Sequence, residues 1–303
     1  MSKKVLLLYG GFSAERDVSI GSKNDISDAL KSKGYTVVEH NLTDINEFID
    51  VLRKEKPEVV YNGLYGNWGE DGEVQGFLDM LQIPYTHSGL KASAIGMDKQ
   101  LCKLIAKHNG VKVADSQVMS AGEYLIRKDT LAMHPHVVKP VSDGSSVGVF
   151  VVKTADDAKK VAYDDLNLPV LVEDYIAGRE LTVMCLEGKS SVVTELKSTN
   201  QFYDYEAKYT KGKTQHILPA DLPADITKTC LEYAQIMHKA LECNMLSRCD
   251  FRYNPNDGVV FLEINTNPGM TALSLVPEQA KYIGISFADL CAKLVENAAY
   301  RRR

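Results

Sequence analysis

The segment Arg248–Met270, RCDFRYNPNDGVVFLEINTNPGM, contains two short apolar runs separated by a turn-rich connection at 254–258. Asn, Pro, Asp and Gly crowd that connection, which is typical of a β-hairpin. Asp250 lies on the first run, and Glu263 and Asn265 lie on the second. Because side chains alternate between the two faces of a strand, a regular odd-length connection would place the two acids on opposite faces. We therefore predict an even loop or a bulge, which puts Asp250 and Glu263 on one face.

Two carboxylates on one face of a strand pair repel each other, so a positive charge is expected between them. Together with the amide oxygen of Asn265, they form a hard, oxygen-rich ligand set that suits Mg²⁺ and leaves room for phosphate oxygens. The alternative is a hairpin whose polar outer face only keeps the protein in solution. The hairpin sequence by itself leaves both interpretations open.

Composition limits the class of protein. A chain of 303 residues can form two or three domains with their own cores, and its 45% apolar and 25% charged residues are ordinary for a soluble protein. The net charge of -5 argues against a nucleic-acid surface, and the apolar run at 5–8 is too short for a signal peptide or a spanning helix. The six cysteines lack Cys-x-x-Cys spacing, which indicates reduced structural thiols. These features predict a cytoplasmic protein with no membrane or nucleic-acid partner.

The N-terminal part of the chain, residues 1–93, alternates strand and helix patterns and predicts a doubly wound parallel sheet. Ligands of such sheets bind at the carboxyl ends of the strands, where the loops 10–15 and 63–72 fall. The predicted strands are 5–9, 35–40 and 58–61, and the predicted helices are 17–33 and 46–54.

The remainder of the chain is richer in strands and predicts an α+β architecture with antiparallel sheets. The segment 200–215 is polar and aromatic without a clear period, which predicts a long loop of the kind that forms lids. The predicted strands are 111–118, 136–139, 147–153, 169–175, 180–187 and 191–197, and the predicted helices are 92–107, 225–241 and 287–298.

A second motif, Lys139–Val149, places a lysine at a strand end before a loop of Gly and Ser. Backbone N–H groups of such a loop can surround an anion while the lysine supplies charge, so a phosphate fits here. An ordinary hairpin turn is the alternative. Beside an acidic metal site, however, the loop completes the parts needed for phosphoryl transfer.

With these motifs the chain resembles the D-alanine--D-alanine ligases of the ATP-grasp superfamily, over essentially its whole length. The resemblance implies an ATP-grasp fold in three parts: a Rossmann-like domain at 1–93, a central subdomain at 94–178, and a C-terminal subdomain at 179–303 with the substrate and metal site. The matching segments are Gly10–Ser19, Gly69–Gly72, Met97–Lys99, Lys139–Gly148, Phe202–Tyr209 and Glu263–Thr271.

The resemblance also implies that ATP binds between the second and third parts. Two lysines would neutralise the α- and β-phosphates, a lysine of the predicted lid would hold the transferred phosphate, and two acids would contact adenine and ribose. An exposed acid at a strand end is the simpler alternative for either of those two. The implied nucleotide-binding residues are Lys99, Lys139, Ser146, Glu173, Glu180 and Lys208.

Other implied roles concern the two D-alanine molecules. Glu15 would pair with the ammonium of the first, linked by hydrogen bonds to Ser145 and Tyr209. Arg248 and the Gly269 N–H would stabilise the oxyanion. Ser274 and the Leu275 N–H would receive the carboxylate of the second D-alanine. Tyr65 stands where many relatives have His near this second subsite, so the resemblance leaves that subsite's fit open.

The resemblance implies that Asp250, Glu263 and Asn265 hold two Mg²⁺ ions, or Mn²⁺ in their place. ATP would phosphorylate one D-alanine, and the amine of a second would attack the acyl phosphate, giving the dipeptide used in peptidoglycan precursor synthesis. A homodimer is the expected assembly. Two alternatives are a sibling ligase for D-lactate or D-serine, which Tyr209 disfavours, and a nucleotide-binding regulator without turnover, which the clustered charges disfavour.

Overall fold

A computed structural model describes residues 2–144, 147–198, 214–271 and 274–300 of the chain. The long loop predicted at 200–215 lies almost wholly outside these residues. Within the described part, no helix has both the length and the apolar character needed to cross a bilayer.

The N-terminal sheet is parallel, as predicted, and its strand order is β2-β1-β3. The central strand β1 is apolar on both faces because both are covered: Val5 and Leu7 pack into one core cluster, and Leu6 and Leu8 into another. The loops that follow β1 and β3 therefore lie at one edge of the sheet. The elements are β1 (Lys4–Gly10), α1 (Arg16–Ser32), β2 (Thr36–Leu42), α2 (Ile45–Glu55), β3 (Val59–Asn62) and α3 (Glu73–Leu81).

The single helix predicted at 92–107 is wrong, because the chain forms two helices there, α4 (Leu90–Met97) and α5 (Lys99–His108). Asp98 separates them with an extended backbone, at φ -81° and ψ 101°, and its carboxylate accepts a hydrogen bond from the Leu101 N–H at 2.9 Å. This N-cap places Lys99 at the start of α5. The Lys99 N–H also donates to the Val141 carbonyl at 3.0 Å, which fixes the helix start against the following sheet.

The central sheet is antiparallel, with strand order β4-β7-β5-β6. Its apolar face packs on two helices around Val138, Val172 and Tyr124. Strand β5 contains Lys139, the lysine of the predicted phosphate loop, next to its last residue. In the antiparallel strand β7, Leu171 pairs with Lys139, and Glu173 pairs with Val137, two residues before Lys139 and on the same face of the sheet. The elements are β4 (Ser116–Ser120), α6 (Ala121–Leu131), β5 (His136–Pro140), β6 (Phe150–Val152), α7 (Ala155–Lys160) and β7 (Pro169–Asp174).

The C-terminal sheet is also antiparallel, with order β11-β10-β8-β12-β13 and β9 paired to β8. One of its faces packs against α5 and a long helix, α8, in a core that includes Phe251 and Phe261. The elements are β8 (Arg179–Leu186), β9 (Lys189–Ser190), β10 (Thr194–Ser198), β11 (Thr214–Ile217), α8 (Ala224–Ala240), β12 (Leu246–Asn254), β13 (Gly258–Asn265), α9 (Leu275–Tyr282) and α10 (Phe287–Glu296).

The predicted hairpin is formed by β12 and β13, and it contains the predicted bulge. Phe251 pairs with Phe261, but Asp250 pairs with Glu263, so Leu262 is an extra residue in β13. This shift compensates for the odd connection and brings Asp250 and Glu263 directly opposite each other.

Candidate active site

A cleft opens between the central and C-terminal sheets, and residues from both sheets line it. Lysines enter from α5 and β5, and acids enter from β7, β8, β12 and β13. Because these groups come from five strands and one helix, only the tertiary fold brings them together. The predicted residues that line the cleft are Lys99, Lys139, Glu173, Glu180, Asp250 and Glu263.

Glu173 is the centre of a buried charged group on the wall of the cleft. Lys139 Nζ lies 2.5 Å from Glu173 Oε1, and Lys103 Nζ contacts Oε2. Burial raises the pKa of Glu173, but the two ammonium groups lower it more, and the pKa lies below its ordinary value. Burial lowers the pKa of Lys139, and the carboxylates of Glu173 and Glu263 reverse that shift, so the pKa is raised. The shifts of Glu173 and Lys139 both favour their charged forms. Burial lowers the pKa of Lys103, and the Glu173 carboxylate acts against that shift.

Lys103 is not among the site residues predicted from the sequence, although its spacing from Lys99 could have indicated it. It lies four residues after Lys99, and both residues are on α5, so the two side chains lie on one helical face. Lys99 Nζ donates to the Asp143 carbonyl at 2.5 Å, at the start of the Gly and Ser loop. The helix thus supplies one lysine to the loop and one to Glu173.

The hairpin supplies the acidic wall of the cleft. Asp250 accepts hydrogen bonds from the Thr182 hydroxyl at 2.6 Å and from the Arg248 guanidinium at 2.8–3.3 Å. Arg248 pairs across the strands with Asn265, on the same face as the two acids. The sequence predicts a positive charge near the two carboxylates, and Arg248 supplies part of that charge at Asp250.

The donor set fits a hard divalent cation that also binds phosphate. Within the ranges the structure describes, no three His, Cys, Asp or Glu side chains group closely enough to hold a metal ion. The predicted set has two carboxylates and one amide oxygen, so it is open and needs ligands from a substrate. Asn265 Oδ1 also accepts a hydrogen bond from the Asn267 N–H at 2.8 Å, which fixes the side chain.

Hydrogen bonds join the loop after the hairpin to the loop that follows β3. Asn267 Nδ2 donates to the Leu64 carbonyl at 2.8 Å, and the Met270 N–H donates to the Tyr65 hydroxyl at 2.9 Å. Gly269, the predicted oxyanion donor, lies between these two anchored residues. A β-carbon at Gly269 would lie 3.1 Å from the Ser274 hydroxyl, so the loop approaches the start of α9 closely.

Tyr65 is buried, and its hydroxyl has two protein contacts, with the Met270 N–H and, at 3.2 Å, with the Ser22 hydroxyl. Burial raises its pKa to about 12, so the hydroxyl stays protonated near neutral pH. No local pattern predicts the contact with Met270, which joins residues 205 positions apart.

Glu15 and Glu70 form a second acidic pair at the edge of the N-terminal sheet. A β-carbon would lie 2.7 Å from Glu15 Oε2 at Gly66 and 3.2 Å at Gly144, so two glycines make room for this carboxylate. Burial and the Glu15 charge raise the pKa of Glu70 well above its ordinary value. Asn265 Nδ2 lies 3.4 Å from Glu70, which connects the pair to the hairpin. Glu70 belongs to the Gly69–Gly72 motif, but the sequence predicts no role for it.

Helix α9 begins beside the loop, with Ser274 as its N-cap and the buried Leu275 as its first residue. The Ser274 hydroxyl contacts Thr271 and not the helix backbone. The backbone N–H groups at the N-terminus of this helix can thus bind a carboxylate. The other predicted site residues, Ser145, Ser146, Lys208 and Tyr209, lie outside the described residues.

Comparisons with known proteins find relatives that match almost the whole chain. The family model described as the C-terminus of D-ala D-ala ligase matches residues 105–296. The D-alanine--D-alanine ligase of Ruegeria pomeroyi is 46% identical over 99% of this chain and 97% of its own length. That of Rhodospirillum rubrum is 44% identical over 98% of this chain and 99% of its own.

Solved structures with the same architecture include ligases that are named for different second substrates. The Bacillus anthracis D-alanine--D-alanine ligase complexed with ATP has a TM-score of 0.83 at 30% identity, covering 98% of this chain and 97% of that one. The VanG D-Ala:D-Ser ligase of Enterococcus faecalis has a TM-score of 0.78 at 26% identity, covering 98% and 99%. The curated relatives described above are the more similar in sequence.

Proposed function

The chain belongs to the D-alanine--D-alanine ligase family, and from this premise we propose how its residues join two molecules of D-alanine at the expense of ATP. The protein is an ATP-dependent ligase, and the sibling activities toward D-lactate or D-serine are not favoured. The observation that supports the proposal best is the cleft in which six predicted residues from separate elements meet.

The nucleotide binds in this cleft. Lys99 and Lys139 lie at its wall as ammonium point charges for the α- and β-phosphates. Glu173 accepts from the adenine amine, and Glu180, on the cleft wall 3.0 Å from Arg252, accepts from the ribose hydroxyls. We assign Ser146 and Lys208 to the phosphates on family resemblance alone.

Asp250, Glu263 and Asn265 are the proposed ligands of two Mg²⁺ ions. When bound, Mg²⁺ supplies charge neutralisation at the phosphate oxygens during transfer. The chain holds this face ready before metal arrives, because Thr182 and Arg248 orient Asp250 through hydrogen bonds. Pairing by Arg248 also reduces the repulsion between the facing acids.

The first D-alanine lies beside Glu15, which pairs with its ammonium, and we keep Ser145 and Tyr209 as the partners of Glu15. The D-alanine carboxylate attacks the γ-phosphate of ATP and leaves ADP. The product of this step is a D-alanyl phosphate. Gly66 and Gly144 leave the space around the Glu15 carboxylate that this arrangement requires.

The second D-alanine binds with its carboxylate at Ser274 and the Leu275 N–H. Its amine must lose a proton before it attacks, and we assign the acceptance of that proton to Glu70, which lies 3.4 Å from Asn265 Nδ2. Arg248 and the Gly269 N–H stabilise the oxyanion of the tetrahedral centre. The bond between the tetrahedral carbon and the phosphate oxygen then breaks, phosphate leaves with the electron pair of that bond, and the peptide bond remains.

Three broader statements are also proposals. The domains are 1–93, 94–178 and 179–303, which is supported by three sheets that each fall within one of these ranges. The assembly is a homodimer, and the protein works in the cytoplasm on peptidoglycan precursors. Family resemblance supports these last two.

Replacing Tyr65 by Phe is expected to lower kcat by about tenfold, because the buried Met270 N–H loses its acceptor and Gly269 beside it loses its position. The KM for ATP should change little. Steady-state kinetics of Tyr65→Phe checks this, with Tyr61→Phe as the matched control. The Tyr61 hydroxyl lies 3.9 Å from Cys291 Sγ, away from the loop. Unchanged kinetics in Tyr65→Phe would exclude a role for this hydroxyl.

Phosphate release from ATP and Mg²⁺ tests the function directly. With D-alanine alone, we expect phosphate and D-alanyl-D-alanine in equal amounts. Adding D-lactate or D-serine should yield little mixed product. A preference for either acceptor would support a sibling ligase, whereas no release with any of the three would leave a nucleotide-binding protein without turnover.

A further inference from the structure

We propose that Lys103 is a positioning residue for nucleotide recognition. It remains the counter-ion of Glu173 when Lys139 contacts the phosphates, and it thereby keeps the site selective for a 6-aminopurine. This inference rests on the proposed function, which assigns Glu173 to adenine and Lys139 to phosphate.

The two oxygens of Glu173 are held by different lysines. Lys139 lies at Oε1 and Lys103 at Oε2. Glu173 and Lys103 are each 4% exposed and Lys139 is 7% exposed, so water contributes little to the solvation of these charges. The carboxylate therefore depends on the two ammonium groups to stay ionised.

The lysines approach Glu173 from opposite sides. Lys139 and Glu173 both line the nucleotide cleft. Lys103, on α5, lines a separate small cavity with Lys107, Val113 and Leu171, and within the described residues it is not part of the cleft wall. Lys139 can thus contact a nucleotide in the cleft, whereas Lys103 lies behind the carboxylate and keeps its contact.

A bound nucleotide changes the balance of charge around Glu173. The phosphates attract Lys139, which then shares its charge between them and the carboxylate. Without Lys103, Glu173 would become a buried acid with a weakened partner and would bind a proton. Of the other charged groups nearby, Asp174 and Glu263 are acids, and Lys99 donates to the Asp143 carbonyl, so none of these three replaces Lys103. From β4, Ser116 pairs with Glu173, and it is uncharged.

The protonation state of Glu173 decides which purine fits. An ionised carboxylate only accepts hydrogen bonds, which suits the 6-amino group of adenine and repels the 6-oxo group of guanine or hypoxanthine. A protonated carboxyl can donate to a 6-oxo group. Lys103 thereby acts on base selectivity through Glu173, without contact with the nucleotide.

The test compares ATP with ITP in the full-length protein. For Lys103→Met we expect the KM for ATP to rise by about tenfold or more and the ATP over ITP preference in kcat/KM to fall by about tenfold. The change in kcat should be small. Lys103→Arg should restore most of the preference, and Lys107→Met, one turn further on an exposed part of α5, should match the unmodified protein.

A second comparison covers the case in which Lys103→Met fails to fold. In Glu173→Gln, the amide needs no counter-ion, so adding Lys103→Met should change the ATP over ITP preference by less than about twofold. An equal loss in both backgrounds, or a folded Lys103→Met with unchanged preference, would overturn the proposal. Dissociation constants of ATP and ITP, measured without D-alanine, give the same comparison independently of turnover. Failure of the ligase assignment would therefore be seen separately.

Discussion

An Arg248→Met variant is expected to form D-alanyl-D-alanine about 10²–10³ times more slowly, the usual loss when one oxyanion donor is removed. Arg248 lies on the acidic face of the hairpin, with its guanidinium held by Asp250 at 2.8 Å. This contact fixes its direction before the substrates arrive. Because the variant still has the nucleotide residues, phosphate release should fall less than dipeptide formation, as acyl phosphate is lost to water. The measurement is the amount of dipeptide formed for each phosphate released.

Two further variants separate this effect from the loss of an ion pair. Arg248→Lys keeps the charge but lacks the planar fork, so intermediate activity is expected. Arg179, on the neighbouring strand β8, forms a comparable ion pair, because its guanidinium donates to the buried Glu195 carboxylate at 2.7 and 2.9 Å. Arg179→Met breaks this pair. It should lower the unfolding temperature and retain turnover at temperatures below unfolding. Normal dipeptide yield from Arg248→Met would exclude the oxyanion role.

The second large effect concerns Glu263→Gln, for which we expect turnover to fall by about 10³ or more. The substitution removes one proposed metal ligand and the negative charge that raises the pKa of Lys139. It also removes the like-charge opposition with Asp250, so the unfolding temperature without ligands should be unchanged or slightly higher. Turnover at saturating ATP and Mg²⁺, together with thermal unfolding, checks both expectations.

A matched control is available within the same hairpin. Asp257→Asn removes a carboxylate at the turn, where it accepts a hydrogen bond from Asn254 at 2.7 Å, far from the cleft. This variant should keep its turnover. Stabilisation by ATP with Mg²⁺ provides a readout besides activity, and it should be lost in Glu263→Gln alone. If Glu263→Gln worked at the normal rate, the metal-site proposal would be wrong.

The main architecture could be predicted because local and global signals agree. The strand–helix alternation predicted the parallel sheet, and the turn residues at 254–258 predicted the hairpin and, with the parity argument, its bulge. Helices α3, α6, α7 and α9 were not assigned. Each has only six to eleven residues, so its periodic signal is short. The break at Asp98 was missed because both flanking segments are helical, although Asp is a common N-cap.

The candidate site was predictable where motifs carry it, as at Lys139 or Glu263. Glu70 and Lys103 were not assigned, because their roles depend on residues far away in sequence. Glu70 meets Asn265 across 195 positions, and Lys103 meets Glu173 across 70. Such contacts follow from packing three sheets together, which no local pattern reports.

The extra residue Leu262 has a consequence for anyone who redesigns this hairpin. A regular ladder that keeps every residue of both strands would pair Asp250 with Leu262, and a backbone optimised only for sheet regularity would favour that change. Every pair beyond the bulge would then shift by one residue, so that Cys249 would pair with Glu263 and Arg248 with Ile264. Glu263 and Asn265 would lie on the opposite face of the sheet from Asp250 and Arg248. A regular sheet would therefore separate the proposed metal ligands, and redesign of the backbone should keep this bulge.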